Sequence, residues 1–255
     1  MTLVLTPLSE IPLIQSGENL PAIILTCLET QGIILEDGDI LSVTQKIVSK
    51  AEGRMVYLGD ISPGLKAVEI SRKTGKDARL VELILRESNE IIRISRNTII
   101  VEHRLGFICA NAGIDHSNIK SDYGSSDEWF LLLPENPEES AQKIREFISL
   151  QTNANIGVIV IDSHGRPWRL GTIGTMIGTS GVPALVDLRG TPDLFGYTLR
   201  ITRVAAADEL AAATSLIMGQ ADESIPVVHI RGFPYSLSDT SYKEVLRPKE
   251  NDLFR

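Results

Sequence analysis

The chain has 255 residues, with 25 Lys and Arg side chains against 33 Asp and Glu, and 43% of its residues are hydrophobic. These proportions are close to the globular average, so they exclude a disordered or fibrous chain. A chain of this length can bury a large core, as one domain or as two small ones. The formal net charge of −8 and the lack of a basic stripe argue against a nucleic-acid partner.

The cysteine pattern and the apolar runs indicate the compartment. Cys27 and Cys109 lie far apart, with no C-x-x-C or metal-ligand spacing, so we expect two reduced, buried thiols. The first 15 residues have no basic leader and are interrupted by prolines and an acidic residue, unlike a signal peptide. No apolar run approaches about 18 residues. We therefore expect a cytoplasmic protein without a membrane partner.

Helical and strand patterns alternate in the first half of the chain. In chain order, the apolar spacing predicts a helix within 17–32, a strand at 38–43, paired helices at 65–73 and 78–86 within a helical stretch over 63–93, and a strand at 98–101. Gly75 divides the paired helices, since glycine commonly ends a helix. The segment 107–115 begins strand-like and ends in turn-forming residues, and 121–127 is predicted to be a polar loop.

The second half contains a helix whose start has a physical cause. Asn136 can cap it and Pro137 suits its first position, and two glutamates follow beside the positive end of the helix dipole. We expect this helix to run to about Leu150. The remaining patterns predict a strand buried on both faces at 157–161, an alternating strand at 197–204, an alanine-rich helix at 206–218, a strand at 225–230 and a polar, partly mobile tail at 236–255.

The mixed order of strands and paired helices favours an α+β fold, with mixed sheets and packed helices, over a regular βαβ sheet. We expect residues 1–255 to form one unit of two intertwined subdomains, 1–90 with 185–255 and 91–184. No P-loop or Rossmann unit is predicted, because neither G-x-x-x-x-G-K-[ST] nor G-x-G-x-x-G occurs. The glycines of the tract 171–181 therefore indicate close backbone packing or turns rather than phosphate binding.

Two acidic residues are the best candidates for chemistry. Asp115 and Asp162 each follow an apolar, strand-like segment, and carboxylates at strand ends can converge in a crevice. Oxygen ligands favour hard cations such as Mg²⁺ or Mn²⁺. The alternative is that each aspartate only caps a turn. His116 and His164 lie beside or near these acids, but a lone histidine is more often a structural hydrogen-bonding residue than a ligand.

A polar and cationic cluster follows the strand predicted at 38–43. Lys46 and Lys50 lie four residues apart beside Thr44, Gln45 and Ser49, so they could place two positive charges on a phosphate chain. The alternative is a solvated helix face. No Ser/His/Asp or Cys/His arrangement has local sequence support, so covalent catalysis is not favoured.

Four short motifs resemble one family in order and spacing, over about residues 8 to 235. They are Ile11 to Ile14, Val48 to Arg54, Asn111 to Asp115 with Ser117 and Asn118, and Met218 to Gln220. The set resembles the coenzyme F-420 γ-glutamyl ligase family. The apolar run that ends in Asp162 and Ser163 also fits the family pattern.

The resemblance implies a GTP-dependent ligase that joins L-glutamate through amide bonds to a deazaflavin precursor and can add further γ-linked glutamates. It implies that the acceptor carboxylate is first phosphorylated and then attacked by the glutamate amine. A free carboxylate is a poor electrophile, whereas a phosphate is a good leaving group, and divalent metals screen phosphate charge. The resemblance further implies two Mg²⁺ or Mn²⁺ ions per site, allows a potassium ion, and implies a homodimer.

The resemblance also assigns site residues. Asp115 and Asp162 resemble ligands of one metal and, with Lys50, the catalytic set, while Ser163 and Gln220 lie near a second metal. Ser163 stands where some relatives have threonine, and the neutral Gln220 stands where some have a carboxylate. The implied nucleotide contacts are Ile11, Pro12, Leu13, Ile14, Gln45, Lys46, Lys50, Asn118, Met218, Gly219, Gln220, Ala221, Asp222, Glu223, Ser224 and Ile225.

Three other functions are compatible with the same residues. One is the same chemistry on another acceptor such as a folate, since the pattern says little about the pocket for the aromatic ring. Another is a metal-dependent nucleotide phosphohydrolase, whose turnover would not depend on glutamate or acceptor. The third is a nucleotide-binding regulator without catalysis.

Overall fold

A computed structural model describes residues 2–119 and 125–253 of the chain. Its strands are β1 (Val4–Pro7), β2 (Ile40–Thr44), β3 (Met55–Tyr57), β4 (Ser88–Ser95), β5 (Thr98–His103), β6 (Ile108–Ala110), β7 (Trp129–Leu131), β8 (Gly157–Arg166), β9 (Arg169–Ser180), β10 (Val186–Asp187), β11 (Arg203–Val204) and β12 (Val227–Arg231). Its α-helices are α1 (Leu20–Thr30), α2 (Gln45–Ala51), α3 (Leu65–Thr74), α4 (Ala78–Arg86), α5 (Pro137–Thr152) and α6 (Ala206–Met218). These elements confirm the α+β prediction.

A five-stranded sheet, in the order β1-β12-β2-β8-β9, forms the centre of the fold. Strands β2 and β8 are parallel, and the other neighbours in this sheet are antiparallel. Thr44 at the end of β2 lies opposite Ile161 of β8. The carboxyl end of β2, from which α2 begins at Gln45, therefore lies beside Asp162.

Smaller sheets surround this centre. Strands β4, β5 and β6 form a three-stranded sheet, and β3 pairs with β7 and β10 with β11. Strand β6 contacts β8, and helices α5 and α6 pack against β9. This packing brings the segment after β6, which carries Asp115, next to the central sheet.

The predicted packing role of the glycine tract is confirmed. A Cβ atom added at Gly174 would lie 2.3 Å from the carbonyl oxygen of Ala211 in α6. One added at Gly178 would lie 2.4 Å from the carbonyl carbon of Pro137 in α5. Both helices therefore approach β9 closely because these two positions have no side chain.

The prediction that 157–161 forms a strand buried on both faces is confirmed, since all five residues are buried. The strand is longer than predicted, because β8 continues to Arg166 as one arm of a hairpin with β9. Cys27 and Cys109 are buried and free, as predicted. The helices predicted at 17–32, 65–73, 78–86, 136–150 and 206–218 correspond to α1, α3, α4, α5 and α6.

Two predicted elements are wrong. The helical stretch ends at Arg86, because the residues after Glu87 pair as strand β4 with β5 across a turn at Asn97, whose φ is 63°. The alternating strand at 197–204 is limited to Arg203–Val204, and the rest is an exposed segment with one bridge, Pro192 to Thr198. Alternation alone did not form a strand there, since regular pairing is limited to Val186 and Asp187 of β10, opposite Val204 and Arg203.

The division into two subdomains stays a prediction. Residues 121–124 of the predicted polar loop lie outside the described residues, and Ser126–Glu128 forms a 3₁₀ turn. In the polar tail, Tyr242 is buried and its hydroxyl donates a hydrogen bond of 2.5 Å to the Leu105 carbonyl. No helix within the described ranges has both the length and the apolar character needed to span a membrane.

Candidate active site

One cavity of about 1260 Å³ opens at the carboxyl ends of β2 and β8. It is lined by all the site residues that the sequence predicts: Ile11 to Ile14, Gln45, Lys46, Lys50, Asp115, Asn118, Asp162, Ser163 and Met218 to Ile225. The fold therefore brings five separate chain segments into one place. The individual roles of these residues stay predictions.

Helix α2 places both lysines at the cavity. Gln45 is buried at its first position, where its side-chain oxygen accepts a hydrogen bond from the Ser49 hydroxyl at 3.0 Å. Lys46 and Lys50 follow one helical turn apart and therefore lie on the same face. Lys50 Nζ donates to the Asn118 carbonyl at 2.8 Å. Burial, together with the nearby Lys46 charge, lowers the pKa of Lys50 from its ordinary value.

Asp115 is held in its ionised form. Its Oδ2 lies 2.9 Å from Lys46 Nζ, and its Oδ1 accepts hydrogen bonds from the backbone N–H and the hydroxyl of Ser117 at 2.8 and 2.9 Å. Burial opposes ionisation of this carboxyl, but Ser117 and Lys46 outweigh burial and hold its pKa below the ordinary value. Asp115 thus both caps a turn and faces the cavity, so the two interpretations from sequence are compatible.

The turn before Asp115 has unusual backbone geometry. Asn111, Ala112 and Gly113 have φ values of 51°, 56° and 63°. The left-handed region costs a residue with a Cβ atom roughly 1 to 2 kcal/mol. The Asn111 side chain stabilises the turn by accepting a hydrogen bond of 3.1 Å from the Ile99 N–H. The strain is offset by packing, since Ala112 is fully buried.

Asp162 lies on β8, where the strand leaves the core. Asp162 and His164 are two residues apart on one strand and therefore share a face. Asp162 Oδ2 lies 3.0 Å from His164 Nε2, and the two side chains are only 15% and 12% exposed. The distance is short, yet Nε2 is buried and makes a hydrogen bond with none of the described groups. The distance would allow a hydrogen bond but the angle at the imidazole N–H does not, so the contact is a close approach of two polar atoms.

The loop after α6 forms another wall of the cavity. Ser163 donates a hydrogen bond of 2.9 Å to Gln220 Oε1, and Gln220 Nε2 donates to the Ser215 hydroxyl at 3.1 Å. Asn118 Nδ2 donates to the Ala221 carbonyl at 3.0 Å, which joins this loop to the segment that follows Asp115. Gly219 is required at its position, because its φ is 73° and a Cβ atom there would lie 2.1 Å from the Glu223 carboxyl carbon.

The oxygen donors of the cavity fit a divalent cation beside Asp162. Within 2–119 and 125–253, no group of three or more His, Cys, Asp and Glu side chains is arranged to hold a metal ion. The donors predicted from sequence are oxygens, which hard cations accept: the carboxylates of Asp115 and Asp162 for one cation, and the Ser163 hydroxyl and Gln220 amide oxygen near a second. The buried Nε2 of His164, which lacks a hydrogen bond, is a further donor beside the carboxylate. The meeting of Asp115 and Asp162 at one ion stays a prediction, because each carboxylate has its own partner here.

Sequence reasoning missed several lining residues. Arg93, Arg166 and Arg247 add positive charge to the cavity walls. Arg166 could have been found, since it follows Asp162 by four residues on the same strand. Arg93 was placed in a helix and Arg247 in a polar tail, so neither had a local signal.

Cys109 also lines the cavity, and burial, with a contribution from Asp162, raises the pKa of its thiol to about 12.

An α+β chain with a large cavity lined by convergent lysines, carboxylates and amides is typical of an enzyme that acts on charged small molecules. The family described as F420-0:Gamma-glutamyl ligase matches residues 9–232. The chain belongs to this family, as its motifs predicted, and the enzyme class is a ligase.

Relatives match over nearly the full chain. The Coenzyme F420:L-glutamate ligase of Methanothermobacter thermautotrophicus is 46% identical over 246 residues, which cover 96% of this chain and 95% of the relative. That of Methanocaldococcus jannaschii is 45% identical over 246 residues, covering 96% and 94%. That of Archaeoglobus fulgidus is 38% identical over 249 residues, covering 98% and 95%.

Proposed function

We propose that the protein uses GTP and a divalent cation to join L-glutamate to the deazaflavin precursor of coenzyme F-420. The observation that carries this proposal is the single cavity at the end of the parallel strands β2 and β8. Residues from five distant segments, all assigned beforehand by the family motifs, line that cavity. The relatives named above, which share 38% to 46% of their residues with this chain, are named Coenzyme F420:L-glutamate ligase, which supports the ligation of L-glutamate.

The proposed chemistry has two steps. An oxygen of the acceptor carboxylate attacks the γ-phosphorus of GTP, so that GDP leaves and an acyl phosphate forms. The free amine of L-glutamate then attacks the acyl carbon, an amide bond forms, and inorganic phosphate leaves while the amine loses a proton. The first step makes the second possible, because phosphate is a far better leaving group than an oxide ion.

The lysines of α2 supply the positive charge that this chemistry needs. Lys46 and Lys50 line the same wall and would contact the phosphate chain. Lys46 also pairs with Asp115 at 2.9 Å, which fixes its position before the nucleotide enters. Asp115 and Asp162 would hold one divalent cation, and Ser163 and Gln220 would lie near a second, so that the two ions screen the phosphate oxygens during transfer.

We also propose that the protein acts as a homodimer. Leu194, Phe195 and Ile201 are 91%, 92% and 88% exposed, and Leu170 at the tip of the β8–β9 hairpin is fully exposed. Leu194, Phe195 and Ile201 lie within one short exposed segment, and exposed apolar side chains grouped in this way mark an interaction surface. Arg166, which pairs with Arg169 beside the turn of the same hairpin, lines the cavity, so a second copy seated on the tip would lie at the cavity rim. Phe195→Glu should shift the protein to monomer in sedimentation, whereas Leu65→Glu, an exposed change on α3, should leave the mass unchanged.

The decisive experiment supplies the purified protein with GTP, Mg²⁺ or Mn²⁺, L-glutamate and the precursor. The proposal expects GDP, inorganic phosphate and the glutamylated product in equal amounts. Product formation from a folate in parallel would change the acceptor but keep the chemistry. GTP turnover that is independent of glutamate and acceptor would instead indicate a phosphohydrolase, and tight GTP binding without turnover would indicate a regulator.

A further inference from the structure

We infer that His164 is a nitrogen ligand of the divalent cation that Asp162 holds. This inference deepens the proposed function and rests on it. The motifs assign only oxygen donors to the cation, and sequence reasoning favours a structural role for this histidine. The structure places its imidazole at the wall of the cavity and against the Asp162 carboxylate.

The separation of the two atoms is that of neighbouring ligands of one ion. His164 Nε2 and Asp162 Oδ2 are 3.0 Å apart. Two ligands at about 2.1 Å from an octahedral cation, at right angles to each other, are about 3.0 Å apart. A hydrogen bond would require an N–H directed at the oxygen, and Nε2 makes no such bond in the described part of the chain. The lone pairs of His164 Nε2 and Asp162 Oδ2 are thus both available to a cation.

Packing holds the imidazole in this position. The ring contacts Phe107 with a centroid separation of 5.2 Å, and Phe107 stacks on His103 at 5.2 Å with nearly parallel planes. Only 12% of the His164 side chain is exposed, so it has little freedom to leave the wall. A ligand that is already oriented loses little conformational entropy when it binds an ion.

The short distance alone does not identify a ligand, because His229 Nε2 lies 2.9 Å from Asp39 Oδ2 without a hydrogen bond as well. The surroundings of the two pairs show which carboxylate is free to bind a cation. Arg231 contacts both oxygens of Asp39, at 2.9 and 2.6 Å, so that carboxylate is neutralised by a cation of the protein. No arginine or lysine of the described chain forms an ion pair with Asp162, which faces the cavity. The charge of Asp162 is therefore left for a ligand.

An imidazole ligand changes which divalent cation the site prefers. Mg²⁺ demands a regular shell of oxygen ligands, whereas Mn²⁺ in proteins accepts mixed carboxylate and imidazole sets. One imidazole ligand therefore favours Mn²⁺ relative to Mg²⁺. His164→Asp would return the set to oxygen donors, so it should weaken that preference without removing the ion.

The test uses Mn²⁺ alone as the probe, bound to the full chain. Pulsed electron paramagnetic resonance of the wild type should show modulation from a coordinated imidazole nitrogen. His164→Gln should remove this modulation and weaken Mn²⁺ binding by about tenfold or more. His116→Gln is the matched control, because His116 is 46% exposed and its polar contacts, with the Trp129 carbonyl and with Asp127, lie outside the cavity lining. Circular dichroism shows whether each variant folds, and His164→Asp should restore Mn²⁺ binding without the nitrogen modulation.

Two results would overturn the inference. One is Mn²⁺ that binds the wild type and is lost in Asp162→Asn, yet shows no nitrogen modulation. The other is a wild type that binds no Mn²⁺. Product formation by the wild type is measured separately, so the proposed function fails only if the glutamylated product is also absent.

Discussion

The central sheet carries an aspartate–histidine pair at each end, and the two pairs are in different surroundings. At the amino end of β2, Asp39 and His229 are 2% and 6% exposed and Arg231 contacts both oxygens of the carboxylate. At the carboxyl end of β8, Asp162 and His164 are somewhat more exposed and face a cavity. The same two residue types therefore form a neutralised core cluster at one end and a cluster open to ligands at the other.

The unmatched charge, rather than the residue pair, distinguishes the cavity end from the core end. A buried carboxylate with its own arginine stabilises the fold only as long as the pair is intact, since removing one partner leaves a charge in the core. A carboxylate that faces a cavity without a cationic partner contributes little to the fold and keeps its charge for a ligand. Substitutions at the two ends should therefore have opposite effects on activity and stability.

The largest effect is expected at the cavity end. Asp162→Asn removes the charge of the proposed cation ligand, so turnover should fall by about three orders of magnitude. The free energy of unfolding should change little, because the side chain has no arginine or lysine partner. Steady-state kinetics and urea unfolding of the same preparation measure both quantities. Unchanged turnover would remove Asp162 from the site.

The opposite pattern is expected at the amino end. Asp39→Asn breaks a buried ion pair, so the free energy of unfolding should fall by about 3 kcal/mol, with unchanged activity per folded molecule. Asp187→Asn is the matched control, because the pair of Asp187 with Arg189 is on the surface, where solvent screens the charges, and should contribute little to stability. Equal losses in both variants would contradict the distinction between buried and exposed pairs.

A third histidine, behind the cavity, links stability to pH. Burial, with the nearby Arg104, lowers the pKa of His103 to about 4 from its ordinary value of 6.5. Glu87 lies 3.8 Å away, but its Oε2 already binds Arg54 and Arg104, so burial prevails.

The unfolded chain therefore binds a proton between pH 6.5 and 4 that the folded chain excludes. The stabilisation from His103 is complete above pH 6.5 and is lost as the pH falls towards 4, by up to about 3 kcal/mol. Urea unfolding at a series of pH values should show a shallower acid limb in His103→Gln than in the wild type. If the free energy of unfolding falls equally with decreasing pH in the two proteins, His103 does not determine the acid dependence.

The smallest effect is a difference in stability between substitutions in the two halves of the β8–β9 hairpin. Gly178→Ala places a methyl group against Pro137, so the free energy of unfolding should fall by about 1 to 3 kcal/mol. Gly165→Ala, on the projecting half where a Cβ atom meets nothing within 4 Å, should be close to neutral. Thermal unfolding of both variants tests this difference, and a larger loss at Gly165 would reverse the packing argument.

Sequence reasoning found the residues of the cavity because the family motifs carried them, and it found helices that have clear starts. The Asn136–Pro137 start is an example, since Asn136 does accept the Glu139 N–H at 3.3 Å. Sequence reasoning missed that Asp162 and His164 lie side by side, because it ended the strand at Ile161. Had the strand been extended to Arg166, the spacing of two residues would have placed both side chains on one face.

By itself, the sequence determined the α+β class, the buried strand at 157–161, the glycine packing and the family. Local patterns and motifs carry these properties within a few neighbouring residues. Only the tertiary structure decided that Arg93 and Arg247 reach the cavity, that 197–204 is mostly exposed, and which of two aspartate–histidine pairs faces the cavity. These properties depend on which distant segment lies opposite a residue, and the periodicity of one segment reports whether it is buried but not what it is buried against.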